Sequence, residues 1–423
     1  MSPKGIFYGW VVVVAGFLVL LAYSVQYMFG IFIEPISVEF SWSRMSLSGV
    51  YSLSYAVSIP FGLMWGKLVD KIGPRKVLAF AGFLGGLGLL SAGLANSLLQ
   101  LYLAYGFLWG AGWSSFFRVS NAVIRRWFVR RAGLALGVAV CGISIGTALL
   151  APLTKFLITV VNWRAAFFYV GVFVFIFVGL AALIIKGTPE EISMHPDGEV
   201  GLGITNQNEL EGWEPRRAIG SLSFWATFFV MLFLVFALTT VTAHGVPYIT
   251  QKLTTVLNSK EEAGSLAAFA FGMMGLISTA GRLVSGILGD LLIRRGVQPA
   301  ISRKYMFSTS AILMAISLGI LLYSNDLIGL TLWAIVFGVG YGFHVPLPGG
   351  IIGDLFGRKN IGLLFSIIGI APGIGGIIGP MQAGYIYDVT GSYEFSIYLA
   401  IFSCLLALFF TFLIKPSGDN VRD

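Results

Sequence analysis

Twelve stretches of about twenty apolar residues follow one another along the chain, with only short polar breaks between most of them. A helix of that length just crosses the hydrocarbon core of a bilayer, and lipid offers no partner for an open backbone group, so repeated spanning helices are what such a chain can form. Composition agrees: 57% of the 423 residues are hydrophobic and only 11% are charged, against about 25% charged in soluble domains. The expected fold is an all-α polytopic membrane protein of twelve transmembrane helices. Its spans are 6–33, 45–69, 77–95, 98–124, 132–155 and 165–186, then 221–250, 262–289, 305–323, 327–352, 361–386 and 394–414. The first run is too long for a cleaved signal peptide and lacks a small-residue cleavage site, so it is taken as a span. Between the sixth and seventh spans, 187–220 is polar, holds seven of the nineteen acidic residues and three prolines, and reads as a cytoplasmic linker between a 1–186 half and a 221–423 half.

The net charge of +8 would suggest nucleic acid for a soluble chain, but here the basic residues lie in short loops. With both termini in the cytoplasm, inner segments hold twenty lysines and arginines and outer segments five, which sets the orientation and excludes a nucleic-acid partner. Cys141 and Cys404 fall inside spans and form no disulfide framework.

The two halves repeat each other. Residues 66–70 align with 286–290 at an offset of 220, and 110–112 with 338–340 at 228; Arg75-Lys76 with Arg303-Lys304, residues 128–131 with 356–359, and Pro152 with Pro380 share the offset of 228. Two six-helix repeats in one orientation imply a pseudo-two-fold axis along the membrane normal, with a binding site between halves near the midplane.

Two arginines, Arg118 and Arg282, remain inside spans. A guanidinium there costs about 2.5–3.5 kcal/mol on insertion scales and is kept mainly where it meets a cavity or partner. Its planar fork suits a carboxylate. Arg282, in 266–290, is the expected anion anchor, since the next charge, Asp290, lies about 12 Å further along a helix. Arg118 shares a helix face with Ser114, Asn121 and Arg125; it either faces the same pathway or reaches to the surface. Tyr27 in the first span, and Tyr341 and His344 in the tenth, complete an oxygen-rich site with apolar walls, while His244 reads as structural. Asp70, Arg130, Asp290 and Arg358 mark the cytoplasmic helix ends as a charge-paired gate. No metal-ligand cluster, nucleophile–base pair or nucleotide loop is present, so neither a metal, a cofactor nor an enzyme is expected.

The run GKLVDKIGPRK (66–76) with the glycine at 62 resembles the loop signature of the major facilitator superfamily. WFVRRAGLALGVAVCGISIG (127–146) resembles the fifth-helix signature of the monocarboxylate transporter family, as do, more weakly, 8–11 and an arginine in the eighth helix; the same motif also fits neighbouring oxalate/formate-type exchangers. The resemblance implies a secondary transporter working by alternating access, functional as a monomer in the cell membrane (plasma or bacterial inner), that carries a small monocarboxylate with a proton. It implies too that helices 1, 4, 7 and 10 line the pathway. The sequence departs from the animal members where they are similar otherwise: Ser278 stands for an aspartate and Gln26 for a lysine, both of which the resemblance ties to proton coupling. A proton would then need His344, expected to face Arg282 across the halves, or Glu34, the acidic residue nearest the core.

Overall fold

The computed structural model describes residues 7–128, 131–198, 212–357 and 360–415. Eleven of the described helices are long and apolar enough to cross a membrane: α1 (Gly9–Phe40), α2 (Arg44–Ile72), α3 (Pro74–Gly93), α5 (Ala132–Val160), α6 (Trp163–Ile184), α7 (Leu222–Leu257), α8 (Lys260–Arg294), α9 (Pro299–Tyr323), α10 (Leu327–Phe356), α11 (Ile361–Thr390) and α12 (Glu394–Phe412). The remaining expected span, α4 (98–127), is helical throughout but differs in character. It opens as Leu98–Leu101, widens into a π-helix over Tyr102–Trp109 and continues as Gly110–Trp127. Gln100, two tyrosines, three tryptophans, Arg118 and Asn121 make it more polar than its neighbours.

Helix starts follow local chemistry. Ser259 caps α8 by accepting the Glu262 amide at 3.3 Å, with Glu261 and Glu262 in the first turn, and Asn162 and Asp326 cap α6 and α10 in the same way. Within α1 the α-helix gives way to a 3₁₀ turn over Ser24–Met28. There Gln26, fully buried, accepts the Trp109 indole N–H at 2.6 Å and donates to Ser54 Oγ at 2.9 Å. A buried amide satisfied on both ends is stable in place; losing one partner costs about 1–3 kcal/mol.

The chain divides into two compact units, one of Met1–Ile36 with Leu53–Ile204 and one of Ser37–Ser52 with Thr205–Asp423. In the second unit the 37–52 segment is fastened by polar contacts. The Asp388 carboxylate accepts the Arg44 and Met45 amides at 2.8 and 2.7 Å, capping the start of α2, and the Arg44 guanidinium lies 5.0 Å from the Tyr387 ring centre. Ser48 Oγ sits 2.8 Å from His244 Nε2, which is also 3.1 Å from the Pro380 carbonyl. His244 therefore does the structural work expected of it.

Candidate functional site

In the second unit Arg282 projects from α8, half-buried, towards α10. Its guanidinium lies 5.4 Å from the Tyr341 ring centre, and Nη2 reaches the Tyr341 hydroxyl at 3.4 Å, a long contact, so the aromatic face holds it more than the hydroxyl does. The helices meet closely because α10 carries Gly342 there: a Cβ would overlap the Ser278 carbonyl and crowd the Arg282 amide. Tyr341 is buried and packs edge-on against His344, ring centres 5.7 Å apart. His344 is 2% exposed. Its Nδ1 lies 3.0 Å from Ser310 Oγ, whose hydroxyl is 2.7 Å from the Gly340 carbonyl. A carbonyl only accepts, so Ser310 donates to Gly340, Nδ1–H donates to Ser310, and Nε2 keeps the lone pair. The expectation that His344 faces Arg282 across the halves is corrected: both belong to the second unit, one tyrosine apart on packed helices. Ser310 went unremarked in the sequence, where it is one of many serines in spans and gives no distinguishing signal.

The first unit holds Arg118. Its Nη1 donates to the Ser114 carbonyl at 2.9 Å, one turn back on α4, and to the Ser58 carbonyl of α2 at 3.3 Å. The guanidinium lies against Gly62 of α2, where a Cβ would overlap it. Arg118 therefore lies on the neighbouring helix rather than extending towards the surface. Asn121 turns its Nδ2 back to the Phe117 carbonyl at 2.8 Å. Tyr27 is buried in the 3₁₀ turn, its ring 5.9 Å from Tyr23, which in turn packs 5.3 Å from Trp113 of α4. Glu34 is half-buried in α1.

Of the expected gate residues, Asp70 and Asp290 lie within the described residues. Asp70 pairs with Arg126 at 2.7 Å, one turn before the expected Arg130, which lies outside the described residues, as does Arg358. Arg126 stands in the last turn of α4, which ends at Trp127. Asp290 is exposed within α8, and in the second unit an ion pair joins Arg303 to Asp354 at 2.5 Å. Among the described residues no group of three His, Cys, Asp or Glu is placed to hold a metal ion.

The family model of the Major Facilitator Superfamily matches residues 15–300 and 299–423. Monocarboxylate transporter 13 of Rattus norvegicus is 30% identical over 396 residues, covering 93% of this chain and 86% of that protein. Monocarboxylate transporter 11 of Mus musculus is 28% identical over 421 residues, covering 97% and 88%. Among solved structures, a bacterial homolog of the human lysosomal transporter Spinster superposes with a TM-score of 0.71 at 15% identity, covering 98% of each chain, which speaks for the fold alone. The chain is thus a multi-pass membrane protein that belongs to the major facilitator superfamily and, within it, to the monocarboxylate transporter family, a family of transporters and not of enzymes.

Proposed function

We propose that this secondary transporter carries a small monocarboxylate of the lactate or pyruvate kind, with Arg282 as the anchor for the carboxylate. The observation that carries the reading is Arg282 itself: a guanidinium within a spanning helix, braced on the face of Tyr341. Bracing fixes the plane of the fork before the anion arrives, so less side-chain freedom is lost on binding. A dianion leaving water needs roughly two cations to offset its desolvation; one anchoring arginine favours a monoanion. The curated relatives are named monocarboxylate transporters, which agrees with this choice.

We further infer twelve spans with both termini in the cytoplasm, from the twenty-to-five distribution of basic residues, and a place in the cell membrane. Proton symport belongs to the same reading. An imidazolium at His344 and the guanidinium of Arg282, on either side of Tyr341, repel until a carboxylate lies on the arginine. Anion binding then favours proton binding, and by linkage the reverse holds equally. The test is uptake of labelled lactate into proteoliposomes, with pyruvate, formate, oxalate and glucose as competitors. Competition by pyruvate and little by oxalate or glucose is expected; oxalate as the stronger competitor would point to a dicarboxylate exchanger instead.

A further inference from the structure

The first unit carries an arginine whose surroundings repeat those of Arg282 with the partners exchanged. At the offset of 220 that aligns α2 with α8, Arg282 corresponds to Gly62; at the offset of 228 that aligns α4 with α10, Gly342 corresponds to Ser114 and Tyr341 to Trp113. In the second unit the arginine comes from α8 and the close-packing glycine from α10. In the first, the arginine comes from α4 and the glycine, Gly62, from α2.

Both hydrogen bonds of Arg118 leave from Nη1 and end on backbone carbonyls. Carbonyls fix the plane of the guanidinium without neutralising it, and among the described residues no carboxylate pairs with it. The opposite edge, Nε with Nη2, presents the two parallel N–H groups that a carboxylate accepts. A tie to two carbonyls alone would not require a full charge, at a cost of about 2.5–3.5 kcal/mol in a span. The face of α4 on which it stands is polar and partly open: Arg118 and Asn121 are half-buried and Arg125 is exposed. Lipid-facing positions are apolar, so a polar, partly open face in a span meets water. Tyr23 and Phe117, also half-buried and 6.1 Å apart between ring centres, supply an apolar wall beside it.

We propose that Arg118 is a second carboxylate-binding position, accepting a small monocarboxylate on its Nε/Nη2 edge, with Gly62 as the cradle that lets the guanidinium lie flat. This stands apart from the reading of Arg282 and can fail without it. Equilibrium dialysis of the purified full-length protein with radiolabelled pyruvate tests it. Wild type should bind two equivalents, and Arg118→Gln and Arg282→Gln one each. A wild type that binds one equivalent, unchanged in Arg118→Gln, overturns the proposal and leaves Arg282 in place; one equivalent unchanged in Arg282→Gln but lost in Arg118→Gln overturns the Arg282 reading instead. Gly62→Ala keeps the charge and displaces a flexible side-chain end rather than backbone, so it should fold and weaken only one equivalent, by about tenfold; unaltered binding counts against the cradle. Wild-type crystals soaked in a bromine-labelled aromatic carboxylate give an answer that needs no variant: an anomalous peak beside Arg118 is expected, and a peak beside Arg282 alone overturns the second site.

Discussion

The two units solve one problem with opposite helices. Each brings a pair of helices close at a glycine and sets an intramembrane arginine at that crossing, but the first takes the arginine from α4 and the second from α8. The ion pairs repeat the exchange. Arg126 of the first unit corresponds to Asp354 of the second at the offset of 228, so the shared position carries a cation in one and an anion in the other, and each finds the opposite charge on a neighbour. A duplicated scaffold fixes where a charge is useful. Which helix supplies it is free to drift, because guanidinium arms several ångströms long reach the same place from either backbone.

Four tests break or sharpen this comparison. Arg282→Ala removes the anchor and should lower lactate uptake in proteoliposomes by about a hundredfold, the loss typical of one charge-assisted pair. Arg282→Lys should fall nearly as far, since the fork is gone. Wild-type uptake in a well-inserted Arg282→Ala protein would end the proposal.

Gly62→Arg makes the first unit imitate the second while Arg118 is still present. Two guanidinium groups then compete for one place, an overpacked like-charge contact costing about 1–3 kcal/mol. The melting temperature should drop by about 2–4 °C per kcal/mol, and adding Arg118→Ala should restore it. If the double variant is no more stable than Gly62→Arg alone, the two positions are not interchangeable.

Tyr341→Phe keeps the ring face and loses the hydroxyl with its long 3.4 Å contact to Arg282. A two- to threefold rise in the half-saturating lactate concentration is expected, about 0.5 kcal/mol. A loss as large as that of Arg282→Ala would mean that the hydroxyl touches the substrate directly.

His344→Gln should change uptake at neutral pH least of all. Its effect is on the slope: the ratio of uptake at acid to alkaline outside pH should approach one, with exchange of bound anion retained. A full pH response in this variant moves the proton to Glu34.

Much of this fold could be read from spacing alone. Apolar runs of span length are local signals, and eleven of the described helices follow them, while the repeat offsets relate one half of the chain to the other. The exchange of arginine between helices was less visible, because aligning the halves by identity sets Arg282 against a glycine, and a glycine in a span reads as packing. What lies on Gly62 is Arg118, fifty-six residues away, and no local pattern links the two. The clasp on 37–52 was beyond reach for the same reason: Arg44 and Asp388 stand 344 residues apart, and no periodicity links them. The Asp70–Arg126 pair was not legible either, because the two residues stand 56 apart and the end of α4, which places Arg126 in its last turn, is set by tertiary packing to within a turn.

The carbonyl ties of Arg118 have an electrical consequence. They steady the guanidinium but leave its full charge within the thickness of the membrane, where a membrane potential acts on it. Moving one elementary charge through the whole field is worth about 2.3 kcal/mol per 100 mV, so any step in which the unliganded arginine shifts along the membrane normal is driven or held by voltage. A carboxylate on the fork cancels that charge. The same step with substrate aboard should then run almost independently of potential, and rapid voltage jumps should evoke transient currents that vanish as lactate is added.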